Sequence, residues 1–160
     1  KLLPESLRNK VTLRLFPRNY GWDEKLRWED DMPEIDIDLG VKNIRKLINK
    51  SRLYISTYNA TTYLESFTWN IPTIIFWNPK YWELNEQAKP YFELLKSVEI
   101  FHETPLSAAK HMIKIWNDVD SWWLSDPVQN AKNIFCNQYA RNPENSLILI
   151  KNILKETKSS

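Results

Sequence analysis

The sequence predicts an α/β fold in which helices cover both faces of a mostly parallel sheet of about four to five strands. Short apolar runs alternate with longer amphipathic segments along much of the chain. A strand–helix–strand unit spans residues 52–77, and its strands are apolar rather than alternating, as in strands covered on both faces. In the last third of the chain, apolar residues recur at helical spacing. We therefore expect three layers, α/β/α, and a helical C-terminal third.

The first part of the chain predicts two strands and one helix. Residues 11–16 form a strand that Pro17 ends, because proline has no N–H to donate. The polar stretch that follows, up to Pro33, is long enough to predict a functional loop. Residues 35–37 form a short edge strand that leads to Gly40. One face of the next helix is marked by Val41, Ile44, Leu47 and Ile48.

The central unit is the clearest part of the sequence. Residues 52–56 predict a strand, residues 58–60 a turn, residues 61–69 a helix and residues 72–77 the next strand. A strand that returns to the same sheet through a helix crosses over in the right-handed sense, which makes the two strands parallel.

The C-terminal third predicts a short strand at residues 98–101 followed by helices. Pro90 is expected to break the segment 84–97 into two pieces. Residues 147–154 hold too many apolar side chains for one narrow helical stripe, so we expect part of that face to be exposed. Three helix starts carry a polar cap followed by proline, namely Thr104-Pro105, Asp126-Pro127 and Asn142-Pro143.

Composition excludes several function classes. The chain has 2 glycines where average usage would give roughly 11, and neither lies in a glycine-rich phosphate-loop pattern. Its 2 histidines cannot build a three-histidine zinc site, and we expect neither a metal nor a cofactor. The net charge of +2 is too small to predict a nucleic-acid partner. No apolar run approaches the roughly 18 residues of a transmembrane helix.

Domain organisation and location follow from simpler features. The sequence has no internal repeat and no linker, so residues 1–160 predict a single domain. The chain begins without Met, from which we expect a fragment of a larger protein. The single cysteine, Cys136, cannot form an internal disulfide and argues for a reducing compartment, so we expect a cytoplasmic location.

Candidate binding residues follow the central strand. In an open parallel sheet, ligands bind at the carboxyl ends of the strands, beside the following helix. The segment selected by this rule, residues 56–62, leads into the helix and carries hydroxyl side chains and an amide, among them Thr57, Tyr58, Asn59, Thr61 and Thr62. The exposed N–H groups of the helix start favour an anion there.

A structural interpretation competes with this one. The spacing of Thr62 and Glu65 fits a capping box, in which Glu65 only satisfies the backbone N–H of Thr62. The spacing taken alone favours the cap.

Two arginines and one aromatic segment are further candidates. Arg14 and Arg18 flank the end of the first strand and could bind phosphate, or could pair with Asp23 or Glu24. Residues 76–83, which include Trp77 and Glu83, could form the wall of a base or sugar site, although burial is the commoner outcome for aromatic side chains.

Two other reactive side chains are interpreted as structural. His102 follows a strand end, but no Ser–His–Asp or Cys–His spacing accompanies it. Cys136 lies on an apolar helical face and is interpreted as a core residue.

The order of these motifs resembles the nucleotide-binding half of GT-B glycosyltransferases. The strand, Ser/Thr-rich turn, glutamate and proline-led strand of residues 56–77 are also similar to those of CDP-glycerol glycerophosphotransferases. More narrowly, the chain resembles a family of transferases found among bacterial surface-polysaccharide genes, over about residues 11–141. The matching segments are Arg14-Leu15-Phe16-Pro17, Tyr20-Gly21-Trp22, Trp82-Glu83-Leu84, Ala88-Lys89-Pro90-Tyr91-Phe92 and Phe135-Cys136.

The resemblance implies a Rossmann-like domain that binds a nucleotide-activated sugar of the UDP, CDP or GDP type. It implies that this domain is the C-terminal half of a two-domain transferase whose acceptor domain is missing. By the same analogy, Thr61 and Thr62 hold the diphosphate and Glu65 holds the ribose hydroxyls. Arg14 would then lie beside the phosphates.

One departure from the family pattern limits the analogy. The family often has arginine after Trp-Glu-Leu, where this chain has Asn85, so a second phosphate contact does not carry over. In GT-B enzymes the acceptor domain usually supplies the catalytic base, so no residue here is assigned as catalytic.

Two other function classes stay open. The chain could be a module that recognises saccharide through its aromatic loops without turnover. It could also be a nucleotide-sugar epimerase-like enzyme, because a fold does not determine a function. Binding of nucleoside diphosphates separates a transferase from the module, and product analysis of the full-length protein separates it from an epimerase.

Overall fold

The computed structural model describes residues 1–18, 20–141, 150–151 and 154. Its first elements are α1 (Glu5–Arg8), β1 (Thr12–Arg14), α2 (Glu24–Asp31), β2 (Asp36–Asp38) and α3 (Ile44–Lys50). The chain continues with β3 (Tyr54–Ser56), α4 (Thr62–Thr68), β4 (Thr73–Phe76), α5 (Lys89–Ser97), β5 (Phe101–His102), α6 (Pro105–Ile115), α7 (Val119–Trp123) and α8 (Asp126–Tyr139).

The strands of the described residues form two parallel sheets. β1 pairs with β2, and β3, β4 and β5 form a second sheet in chain order. The α/β class and the parallel pairing of β3 with β4 are confirmed. The single sheet of four to five strands is corrected to sheets of two and three strands. The strands are only two to four residues long, which leaves each of them few backbone groups for pairing.

Several predicted element boundaries move for identifiable reasons. The last strand begins at Phe101 rather than at residue 98, because Glu99 adopts a left-handed conformation (φ 62°) and turns the chain after α5. Pro90 lies in the first turn of α5, where a missing N–H costs nothing, instead of breaking a helix.

The predicted caps have mixed outcomes. Thr104 caps α6, because its hydroxyl accepts from the Ser107 N–H at 3.1 Å. Asp126 does not cap α8, since Ser125 is the N-cap and Asp126 is the first helical residue. The predicted cap at residue 142 and most of the apolar face at residues 147–154 lie outside the described residues. Ile150 and Leu154, which are described, are exposed.

The core lies against both faces of the β3–β4–β5 sheet. Successive side chains of a strand point to opposite faces, so Ile74 and Ile75 belong to different clusters. One cluster is strongly aromatic and joins α4, α5 and α8 to the sheet, through residues that include Tyr63, Phe67, Trp77, Phe92, Phe101, Trp123 and Phe135. The other joins α6 to β4 through Ala108, Met112 and Ile115. Within the described ranges, no helix has the length and apolar character needed to cross a bilayer.

Candidate functional site

The carboxyl ends of β3 and β4 lie at one edge of the sheet, because the two strands are parallel. We call residues 57–61 the β3–α4 loop and residues 77–88 the β4–α5 loop. The two loops meet where the Tyr58 and Trp82 rings lie with their centroids 6.1 Å apart and their planes at 42°. Both side chains stay about half exposed, at 48% for Tyr58 and 44% for Trp82. The structure therefore brings together two segments that are separate in the sequence.

The β3–α4 loop is held by its own hydrogen bonds. The Ser56 hydroxyl donates to the Tyr58 carbonyl at 3.2 Å, and the Ala60 N–H donates to the same carbonyl at 3.0 Å. The Tyr63 hydroxyl donates to the side-chain oxygen of Asn59 at 3.0 Å. These bonds fix the turn while leaving Thr57, Tyr58 and Asn59 exposed. The loop is therefore an ordered platform with polar side chains directed to solvent.

The start of α4 corrects the predicted capping box. Thr61 is the N-cap and Thr62 is the first helical residue, so Thr62 and Glu65 do not have the spacing of a cap and its partner. Thr61 already has helical backbone angles (φ −67°, ψ −24°), and its side chain makes no capping hydrogen bond. The Glu65 carboxylate is exposed and accepts no hydrogen bond from the part of the chain that the structure describes. Both the Thr61 hydroxyl and the Glu65 carboxylate can therefore bind a ligand.

Tyr54 supplies a hydroxyl that sequence reasoning missed. Burial raises the pKa of Tyr54, the neighbouring Ser56 hydroxyl opposes that rise, and Tyr58 and Glu65 add to it. The Tyr54 hydroxyl thus stays protonated near neutral pH and interacts with Ser56, Tyr58 and Glu65. Sequence reasoning had no signal for Tyr54, because it lies in an apolar strand and its approach to Glu65 is visible only in the fold.

The β4–α5 loop buries one tryptophan and exposes another. Trp77 is 3% exposed and packs on Phe92 and Phe101, with ring centroids 5.5 and 4.9 Å away. Trp82 takes the exposed position beside Tyr58, next to the exposed Glu83. Sequence reasoning named Trp77 as a binding residue of the aromatic segment at the strand end, whereas the structure buries Trp77 and places Trp82 at the loop surface.

A turn at Asn78 explains why Trp77 is buried and Trp82 is exposed. Its side-chain oxygen accepts from the Lys80 N–H at 2.9 Å, and its carbonyl accepts from the Tyr81 N–H at 3.0 Å. The chain direction changes after Trp77, so the two tryptophans face opposite environments. The Asn78-Pro79 dipeptide, which is typical of turns, is the sequence signal that could have indicated this one.

Arg14 is engaged at the end of the β1–β2 sheet. Its guanidinium donates to the Asp38 carboxylate, to the Gly40 carbonyl at 2.9 Å and to the Lys42 carbonyl at 2.8 Å. The partner is therefore Asp38, and the predicted pairing of Arg14 with Asp23 or Glu24 is wrong. Gly40 is required here, because its φ is +79° and an added Cβ would lie 2.8 Å from Pro17 Cδ.

The other arginine near this strand contacts an aromatic ring. The Arg18 guanidinium lies 5.4 Å from the centre of the Tyr20 ring, a cation–π distance. A role of either arginine beside a phosphate stays a prediction.

The structure assigns ordinary packing roles to His102 and Cys136. His102 Nε2 lies 2.9 Å from the Glu99 carbonyl, to which it donates, and burial lowers the pKa of the ring. Burial raises the pKa of the Cys136 thiol, so this cysteine stays protonated near neutral pH. Among the described residues, no three His, Cys, Asp or Glu side chains converge in a way that could hold a metal ion.

Comparison with protein-family models gives a match over most of the chain. A protein-family model described as LIC12162 family transferase matches residues 1–154. No curated protein and no solved structure matches the chain.

Proposed function

Because the chain belongs to the LIC12162 family of transferases, we propose that its β3–α4 and β4–α5 loops bind a nucleotide-activated sugar donor of the UDP, CDP or GDP type. In this proposal the chain is the donor-binding domain of a GT-B type glycosyltransferase, or of a related transferase such as a CDP-glycerol glycerophosphotransferase. It acts in the cytoplasm in surface-polysaccharide biosynthesis. An N-terminal acceptor domain, which this domain would face across a cleft, completes the enzyme.

The contact between Tyr58 and Trp82 carries the proposal. It joins the loops that follow two neighbouring parallel strands, which is where open α/β sheets bind their ligands. Half-exposed aromatic rings offer flat apolar faces to a base or a sugar. Hydroxyl and carboxylate groups lie on the same two loops or on the helix that follows, so apolar and polar recognition occur together.

The polar groups divide into two roles in this proposal. The hydroxyls of Thr57 and Thr61 have no hydrogen-bond partner within the described ranges and would donate to the diphosphate oxygens. Thr62 would act with them. Because α4 has only seven residues, these side chains rather than a helix dipole carry the binding. Glu65 would accept from the ribose hydroxyls.

The transfer step needs more than these loops. In a glycosyl transfer the bond from the sugar to the diphosphate breaks as a bond from the sugar to the acceptor oxygen forms, and the departing nucleoside diphosphate carries the negative charge. Hydrogen bonds from Thr57 and Thr61 would stabilise that leaving group. The base that deprotonates the acceptor belongs to the acceptor domain in this proposal, so we assign no catalytic residue to this chain.

Titration of the chain with UDP, CDP and GDP tests the proposal by calorimetry. We expect one nucleotide to bind, and Trp82→Ala to weaken it by about tenfold, because a lost aromatic contact is worth roughly 1–1.5 kcal/mol. Tyr81→Ala is the matched control, since Tyr81 lies on the same loop and is 76% exposed. Absence of binding by all three nucleotides, or equal losses in both variants, would contradict the proposal.

A second candidate function is saccharide recognition without turnover. One observation favours it: Phe16, Tyr20 and Trp22 form a row of exposed rings whose successive centroids lie 5.7 and 5.3 Å apart. Such a row offers stacking area to sugar rings. Binding of an oligosaccharide that Trp22→Ala abolishes, with no binding of any nucleoside diphosphate, would favour this function over the first.

A further inference from the structure

A polar stripe runs along α6 beside its core contacts. Ala108, Met112 and Ile115 pack into the core. A second set of α6 and cap residues repeats at helical spacing and is polar throughout: Thr104, Ser107, His111 and Lys114. Because His111 is buried, this stripe is not simply a helix face exposed to solvent.

This stripe lines a cavity beside β5, the outer strand of the three-stranded sheet. The cavity has a volume of about 530 Å³, within the range of ligand sites. Its remaining lining comes from the end of α5, from β5 and the turn before it, and from the exposed side of α6: Lys96, Glu99, Phe101, His102, Glu103 and Lys110. None of these side chains belongs to the β3–α4 or β4–α5 loop.

His111 is a buried polar group without a hydrogen-bond partner. Its side chain is 1% exposed, and neither ring nitrogen forms a hydrogen bond with the described residues. A Glu99 carboxylate oxygen lies 3.3 Å from Nδ1 and would pair with the ring once it is protonated, and the centroid of the Trp122 ring lies 4.7 Å from that of the imidazole. An unsatisfied buried polar group costs about 1–3 kcal/mol, so a lone one in a cavity wall indicates a ligand that supplies the partner.

The charges of the cavity indicate what that ligand is. Two of its three lysines are paired, Lys96 with Glu103 at 2.7 Å and Lys114 with Glu99 at 2.9 Å. The third, Lys110, forms no ion pair within the described ranges. The three lysines outnumber the two glutamates, so the cavity has one excess positive charge, which suits an oxyanion.

We propose that this cavity binds a small oxyanion of the phosphate type, with Lys110 and His111 as its main contacts and Glu99 as the carboxylate that competes with it. The Glu99 side chain is 45% exposed, so it can turn to solvent at little packing cost and uncover His111 Nδ1. The bound anion then takes the place of that carboxylate beside Lys114. This is a second site, apart from the proposed donor site.

Binding of the oxyanion is coupled to a proton. An oxyanion stabilises the imidazolium form and so raises the pKa of His111, and affinity increases as the pH falls towards the value of about 4 that burial gives the free ring. The charged groups around His111 have opposite effects on its pKa: Glu99 favours protonation of the ring, whereas His102 and Lys114 oppose it. The more distant Lys96, Lys110 and Glu103 complete the charged lining of the cavity.

Imidazole NMR of the full chain tests the proposal, since the sequence has only 2 histidines and His111→Gln assigns both signals. We expect inorganic phosphate to shift the His111 signal in a saturable way and to raise the pH at which it titrates. Lys110→Gln should weaken the apparent affinity by about fivefold, and Glu99→Gln should strengthen it by about fivefold, as expected for one nearby charge. Lys50→Gln, an exposed charge at the end of α3, is the matched control.

Lys110→Gln and Glu99→Gln should change the affinity in opposite directions, so one of them still tests the proposal if the other folds poorly. A His111 signal that phosphate does not shift, equal effects of Lys110→Gln and Lys50→Gln, or weaker binding in Glu99→Gln would overturn the proposal. Saturable binding of inorganic phosphate or of glycerol phosphate supports it, and the tighter of the two identifies a free anion or an ester. Thr61→Ala, which removes a proposed phosphate contact of the donor site, should leave this titration unchanged, which separates the two sites.

Discussion

Arg14 and Asp38 stand directly opposite each other in the parallel register of β1 and β2, and the Arg14 guanidinium donates to the Asp38 carboxylate. The Asp38 side chain is only 2% exposed, while that of Arg14 is 28% exposed. The same guanidinium reaches the carbonyls of Gly40 and Lys42, beyond the end of β2. One side chain therefore ties the two-stranded sheet to the segment that leads into α3.

We expect Asp38→Ala to lower the free energy of unfolding by about 2–4 kcal/mol, because it leaves a partly buried guanidinium without its carboxylate. Urea denaturation measures the loss. Glu29→Ala is the control, since it removes the exposed Lys25–Glu29 pair, which is worth about 0.5 kcal/mol or less. Similar losses in the two variants would show that Arg14 and Asp38 are not a structural pair.

Glu65→Gln should weaken nucleoside diphosphate binding by roughly 1–3 kcal/mol, because the neutral amide loses charge-assisted acceptance from the ribose hydroxyls. The melting temperature should hardly move, since Glu65 is exposed and takes no part in a cap. Pyrophosphate, which has no ribose, is the control ligand and should bind both proteins equally. Equal nucleotide titrations of variant and parent would remove Glu65 from the binding site.

The stability of the fold should decrease as the pH falls from about 6.5 towards 4, because His111 is buried in its neutral form. Burial lowers the pKa of His111 to about 4, with Glu99 opposing and His102 and Lys114 adding to the effect. The unfolded chain therefore takes up this proton first, and the stability present above the ordinary pKa of about 6.5 is lost below it. For this group alone the expected loss is about 2 kcal/mol at pH 5.

Urea denaturation of the parent and of His111→Gln, at pH 7.5 and pH 5, measures that contribution. His102 has a lowered pKa as well, so the variant should keep part of the pH dependence. A parent protein that is equally stable at both pH values would show that the two rings are not held neutral by the fold.

Asn70→Ala should destabilise the protein more than Asn70→Gly. Asn70 has a left-handed backbone (φ 53°), its side-chain oxygen accepts from the buried Lys132 ammonium, and its carbonyl accepts from Trp123 Nε1 at 3.0 Å. Glycine loses only the side-chain bond, whereas alanine also adds backbone strain of about 1 kcal/mol. Thermal denaturation of both variants gives the comparison, and an alanine variant at least as stable as the glycine variant would contradict it.

The chain alone should bind a nucleotide and transfer nothing. In our proposal the acceptor domain supplies the base, so a donor bound here has no activated acceptor. Incubation of these 160 residues with a donor and a panel of acceptors, followed by mass spectrometry, tests this expectation. Free nucleotide released faster than in a protein-free control, together with any glycosylated acceptor, would show that the catalytic group lies in this chain.

The parts of the fold that depend on local sequence could be predicted. The parallel pairing of β3 with β4 follows from one strand–helix–strand unit, and the cap at Thr104 follows from a hydroxyl before a proline. The division into two sheets could not be predicted, because it depends on contacts between distant strands. The ion pair of Arg14 with Asp38 spans 24 positions, and nearer carboxylates looked equally suitable.

The candidate site shows the same limit. Thr57, Tyr58 and Asn59 could be found because one rule, ligands at strand ends, applies to a single segment. Trp77 and Trp82 could not be told apart, since the turn at Asn78 decides which ring is buried. Tyr54 was missed because the approach of Glu65 to its hydroxyl is a product of the packing of α4 on β3.

The chain order of the strands in the larger sheet bears on how the protein folds. β3 lies beside β4 and β4 beside β5, so the sheet and its connections, from residue 54 to residue 102, can assemble through sequence-local steps. Proteins with low contact order fold quickly, because little loop-closure entropy is lost before contacts form. The β1–β2 pair has no part in the large aromatic cluster and should open independently. Native-state hydrogen exchange should therefore show the amides of β4 exchanging only through global unfolding, while those of β1 exchange through a lower-energy, partial opening.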